Sequence, residues 1–156
     1  MSFKKNIYSP ILKAFLSYTP FAQPLVFNKL LKGAQKGSVE EQNTLGWLYA
    51  KGVKVDKNYE KAFEWFTQAA DQGLAKAQRN LGLMYANGHG VEKDEAKAFE
   101  LYSKAADQGL AKAQHSLALM YENGIYVEKN YAKAFELYSK AADQGLAYSQ
   151  NNLGYM

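Results

Sequence analysis

No cysteine occurs among the 156 residues, which excludes a disulfide framework, a thiolate nucleophile and a thiolate metal site together. Histidine is nearly as scarce. His89 and His115 lie 26 residues apart and neither has a histidine at i, i+4, so zinc-protease spacing is missing. No uninterrupted apolar run reaches the roughly 18 residues that a membrane-spanning helix needs. Acidic residues are absent from residues 1–37, where six lysines stand (Lys4, Lys5, Lys13, Lys29, Lys32 and Lys36). The net charge of +4 therefore leaves −2 on the remainder. There lysines alternate with glutamates and aspartates, the pattern of a solvated face rather than the basic, aromatic-interleaved stripe of a nucleic-acid binder. A chain without cysteine is at home in either redox environment. The apolar N-terminal stretch is broken by Pro10 and Lys13, and Pro20-Phe21-Ala22 is a poor signal-cleavage site. The cytoplasm is therefore the expected location, with the periplasm or secretion as alternatives.

What is present is repetition. Ala-Ala-Asp-Gln-Gly stands at residues 69–73, 105–109 and 141–145, a period of 36 residues, and Gly-Ala-Gln-Lys-Gly at 33–37 is a degenerate further copy. Residues 73–108 match 109–144 at 28 of 36 positions without a gap. Self-similarity at this period marks a stacked repeat.

Each unit spells two helices. The first, Ala75 to Asn87, sets Ala77, Leu81, Met84 and Tyr85 at helical spacing and stops at Gly88. The second begins after Asp94, an N-cap with Asn58 and Asn130 as counterparts, and turns Ala98, Leu101, Tyr102, Ala105 and Ala106 inward. It closes on Gly109-Leu110, the glycine-then-apolar signature of a Schellman turn. Gly82 and the alanines let backbones approach, and the tyrosines fill the space between. One unit cannot bury its faces alone, whereas a row can.

The string Ala-x-Ala-Gln-x-x-Leu-Gly-x-Met-Tyr-x-x-Gly-x-Gly-Val-x-x-Asp over 75–94, followed by Lys97-Ala98 and Ala105-Ala106-Asp107-Gln108-Gly109, resembles the Sel-one-like repeat, a relative of the tetratricopeptide repeats with a slightly longer unit. The resemblance covers residues 38–156. Lys54 and Tyr126 stand where the loop's second glycine, Gly90, would be, and Ala118 replaces Gly82, which leaves individual loop shapes open. The expected fold is all-α, a right-handed α–α superhelix of 36-residue helix-turn-helix repeats. Residues 1–37 form an N-terminal helical cap, 38–73, 74–109 and 110–145 three repeats, and 146–156 the first helix of a fourth, incomplete one. Within the cap, Ser9-Pro10 opens an amphipathic helix to Tyr18 and Pro24 a second to Gly37. Ser38 with Glu41 reads as a capping box for the first full unit.

Comparing near-identical copies separates structural from free positions. One stripe varies on the first helix: Glu40, Asn43, Trp47, Lys51; Lys76, Arg79, Leu83, Asn87; Lys112, His115, Leu119, Asn123; and Tyr148, Asn151, Tyr155. Offsets of three and four place each set on one helix face. First helices line the concave side of helix-pair solenoids, so stacking makes the stripes one groove. With an exposed tryptophan, Arg79 and amides, its composition is that of a protein interface; the competing reading of Leu83 and Leu119 is that they seal adjacent helices. No nucleophile, base and charge stabiliser converge, no metal ligands cluster, and no cofactor is expected. The chain reads as a non-catalytic binder of another protein: adaptor, scaffold, or inhibitor of the immunity type. The resemblance implies a bacterial or organellar assembly role. Alternatives are a peripheral membrane protein held by its basic N-terminal segment and a hydrolase. Weak end-to-end self-association through Leu153 and Met156 is also expected.

Overall fold

Each second helix starts on a side-chain cap. In the computed structural model, which describes residues 23–156, Asn58, Asp94 and Asn130 are extended and accept the backbone N–H of Lys61, Lys97 and Lys133 at 2.7, 2.9 and 2.9 Å. Each cap satisfies an N–H that a helix start leaves unpaired. The same helices end on left-handed Gly73, Gly109 and Gly145, whose N–H groups reach Ala70, Ala106 and Ala142, while the N–H of the following leucine reaches Ala69, Ala105 and Ala141. That is the Schellman pair of bonds. Gly37 and Ser38 close on Ala34 and Gly33 in the same way, so the degenerate copy folds like the others.

The described residues form eight helices and no strand: α1 (Gln23–Gln35), α2 (Val39–Lys51), α3 (Tyr59–Asp71), α4 (Ala75–Asn87), α5 (Glu95–Asp107), α6 (Ala111–Asn123), α7 (Tyr131–Asp143) and α8 (Ala147–Tyr155). Each packs on its neighbours in the chain, giving a solenoid of helix pairs. The helix expected over residues 10–18, and the membrane contact expected of the N-terminal segment, lie outside the described residues.

Small residues set the spacing within a pair. A Cβ at Gly82 would stand 2.7 Å from Cε1 of Tyr102, and one at Gly46 would stand 2.6 Å from the Phe66 ring. Ala62, Ala98 and Ala134 have no exposed surface. Between pairs, Phe27, Phe63 and Phe99 meet Tyr49, Tyr85 and Tyr121 edge-on at 5.5 to 6.4 Å between ring centres. Helix α1 thus contributes what a second helix contributes. Phe135, at the same place in α7, is exposed.

Buried glutamines tie the layers together. Gln42, Gln78 and Gln114 accept the amides of Gln72, Gln108 and Gln144 at 2.7 to 2.9 Å. Gln42, Gln114 and Gln150 donate to the carbonyls of Ala34, Ala106 and Ala142 at the end of the preceding second helix. These glutamines recur unchanged in every unit because a buried amide must keep its partners.

Two expectations need correction. Ser38 makes no side-chain cap bond, so the capping box with Glu41 does not form. Glu41 instead lays its carboxylate over Gly33, where a Cβ would collide with it. Tyr85, expected in the core, is half-buried and straddles two core clusters.

The open question of the loops is resolved by the backbone: Lys54 and Tyr126 adopt φ 60° and 65°, matching Gly90 at 69°. A side chain in this left-handed region costs about 1 kcal/mol or more. Lys54→Gly should therefore raise the unfolding free energy by about 1 kcal/mol in a denaturant titration.

Candidate functional site

The first helices lie side by side. Asn80 on α4 donates to Asn43 on α2 at 3.1 Å, and Nδ1 of His115 on α6 is 2.9 Å from Oγ of Ser149 on α8. The variable stripe is therefore one surface crossing α2, α4, α6 and α8. It divides by depth. Asn43, Trp47, Arg79, Leu83, His115 and Leu119 are half-buried along its middle, whereas Lys51, Lys76, Asn87, Lys112, Asn123, Tyr148, Asn151 and Tyr155 are exposed.

Trp47 is not the exposed anchor that its position suggests. It packs against the cores of both its own and the following unit, because adjacent first helices approach closely enough to cover a large side chain at their seam. Leu83 and Leu119 pack on the last core cluster, as the sealing reading has it. The amides of Asn87 and Asn123 donate to the carbonyls of Leu83 and Leu119 one turn back and so belong to their helix ends. Leu153, expected to be open for self-association, is half-buried against the same cluster, while Met156 is exposed.

Arg79 is the unusual member. Its Nε is fully buried without a hydrogen-bond partner, and burial holds the guanidinium below its ordinary pKa. Lys112 is lowered by burial and by the charges of Arg79 and Lys76. Ion pairs among the described residues join Lys93 to Glu95, Lys97 to Asp94, Lys104 to Glu100 and Lys140 to Glu136, and none reaches this cluster. Burial pushes Tyr102 up to about 12, against an opposing influence of the Arg79 charge.

The Ser149–His115 pair has the distance of a nucleophile and its base, but Ser149 has no exposed surface, so no substrate can reach its hydroxyl. The His115 ring lies near Tyr138 and Tyr148, and the Tyr138 hydroxyl donates to Glu122 at 2.6 Å. Among the described residues no three His, Cys, Asp or Glu side chains could hold a metal ion, and no helix is long and apolar enough to cross a membrane.

Burial, with a further contribution from Arg79 and against the pull of Glu122, holds His115 below its usual 6.5. The unfolded chain takes up a proton near that pH while the folded chain resists it. Stability should therefore fall as pH drops from 6.5 through the lower folded value. The decline in melting temperature over that window should shrink in His115→Gln.

Sequence reasoning missed the glutamine ties, Asn80, Ser149 and the Tyr138–Glu122 bond. For the glutamines a signal existed, namely a polar residue held constant at an inward helical position in every copy.

The family model for the Sel1 repeat matches residues 42–74, 75–110, 111–146 and 147–156. Among solved structures, the chain is similar to a protective antigen of uropathogenic Escherichia coli displaying an SLR fold, with 39% identity and a TM-score of 0.80 over 84% of this chain. The chain spans only 28% of that antigen's length. A Sel1 repeat protein from Oxalobacter formigenes is 39% identical with a TM-score of 0.74, over 83% of this chain and 98% of that one. Cysteine-rich protein B of Helicobacter pylori is 26% identical with a TM-score of 0.64, over 80% and 95%. No curated protein matches the chain.

Proposed function

Because the chain belongs to the Sel1 repeat family, whose members are generally protein–protein interaction modules, we propose that it is a non-catalytic module that holds a segment of another protein against the face formed by α2, α4, α6 and α8. Adaptor, scaffold and inhibitor of the immunity type are forms of this one activity. The observation that supports the reading is Arg79, a half-buried guanidinium with no ion-pair partner among the described residues. Folding leaves such a charge partly desolvated and unpaired, which costs stability, and an arriving carboxylate would pair it at the part of the guanidinium that stays exposed. Arginine is also among the residues that dominate interface energies.

Stability and binding should consequently separate at this residue. Arg79→Met keeps the stem and removes the unpaired charge, so its melting temperature should equal or exceed that of the parent. Affinity for a partner recovered by pull-down should drop by about 1 to 4 kcal/mol, measured by titration calorimetry. A variant that loses stability but binds normally would place Arg79 in the fold and remove it from the interface.

A further inference from the structure

The charge of the face narrows the chemistry of what it holds. Lys76 and Lys112 stand second in α4 and α6, whose first turns carry no acid, whereas α2 carries Glu40 and Glu41 there. A lysine at that end adds to the positive pole of the helix rather than offsetting it. Arg79 and His115 follow one turn later on the same faces. Arg79 is close enough to act electrostatically on both Lys112 and His115, and Lys76 on Lys112. No carboxylate among the described residues forms an ion pair with Lys76, Arg79 or Lys112. Glu40, the acidic member of the stripe, borders the cleft that Lys76 lines and lies on α2, and Glu122 acts on His115, so the positive charge left without an ion pair is that of Lys76, Arg79 and Lys112. Leu83 and Leu119 form a half-buried apolar seam beside it.

Resting on the reading of this face as the binding face, we infer that the partner presents an acidic segment, with aspartate or glutamate side chains next to an apolar residue, whose carboxylates dock on Lys76, Arg79 and Lys112. Charge complementarity of this kind fixes register and speeds encounter. A short peptide fits better than a nucleic acid. Residues 38–156 net −2, so the patch is a local excess of positive charge rather than part of the broadly basic surface that a continuous phosphate backbone favours.

The test uses the full chain and a fluorescent oligoglutamate peptide, followed by anisotropy, beside oligoserine and oligothymidine. Oligoglutamate should bind, oligoserine should not, and oligothymidine should bind more weakly. The double substitution Lys76→Gln, Lys112→Gln should weaken oligoglutamate binding about tenfold or more, and rising salt should weaken it further. Lys104→Gln with Lys140→Gln, on the second helices, should leave it unchanged. Both lysines of the first pair are exposed and stand at the positive ends of their helices, so the variant should melt no lower than the parent. Oligoglutamate binding that is absent or indifferent to the first pair would overturn the inference, as would tighter binding of oligothymidine. Should oligoglutamate fail while the recovered partner still protects the first helices from modification, the acidic chemistry falls and the binding face stands. Protection of the second helices instead would remove the binding face itself.

Discussion

Tyr138→Ala is expected to destabilise the stack by about 3 to 5 kcal/mol, the range for removing a large aromatic from a core. Tyr138 has no exposed surface, lies in the cluster with Tyr102, Leu117, Ala118 and Leu137, and joins α6 to α7 through its hydroxyl on Glu122. The alanines of the cluster, Ala118 and Ala134 among them, have no side chain long enough to fill the space its ring would leave. Burial, and the Glu122 carboxylate beside it, hold the phenol in its protonated, donating form by raising its pKa. Tyr138→Phe keeps the ring and should cost only about 1 kcal/mol, since Glu122 is half-exposed and water can replace the donor. Denaturant unfolding of both variants separates the ring from the bond.

Gly90→Val should cost about 2 to 4 kcal/mol, from two sources. The backbone there is left-handed, at φ 69°. A Cβ would also stand 2.5 Å from the Tyr59 carbonyl oxygen and 2.9 Å from the Glu60 nitrogen, both backbone atoms that cannot swing aside. His89 stacks on Tyr59 with ring centres 4.3 Å apart, so displacing the loop would also break that contact. Lys54 and Tyr126 show that the dihedral alone is tolerated; close approach distinguishes Gly90. The thermal midpoint of Gly90→Val set against Gly90→Ala measures how much the branched side chain adds.

Local chemistry explains why the helices were legible and the surface less so. Caps at Asn58, Asp94 and Asn130, and closures at Gly73, Gly109 and Gly145, act over six residues or fewer, so their signals sit together in the sequence. The depth of Trp47 depends on the distance between α2 and α4, which no local pattern encodes. Its helical register is right, but a register says which face a residue is on and not how closely the next helix approaches. The same holds for Arg79: the varying stripe identifies the position, whereas its buried, unpartnered Nε emerges only when the helices are assembled. Ser38 and Glu41 mislead for a related reason, since the Ser38 N–H that a capping box would use already closes the turn on the Gly33 carbonyl of α1.

Lysine footprinting of the chain with and without its recovered partner tests the binding face most directly, because exposed lysines stand on both sides of the stack. Lys51, Lys76 and Lys112 lie on the first-helix stripe, and Lys61, Lys104 and Lys140 on the second helices. If the first-helix face holds the partner, acetylation of Lys76 and Lys112 slows in the complex while Lys61, Lys104 and Lys140 react at the rate of the free chain. Protection of Lys61, Lys104 and Lys140 with Lys76 and Lys112 unchanged would contradict it and put the partner on the second helices.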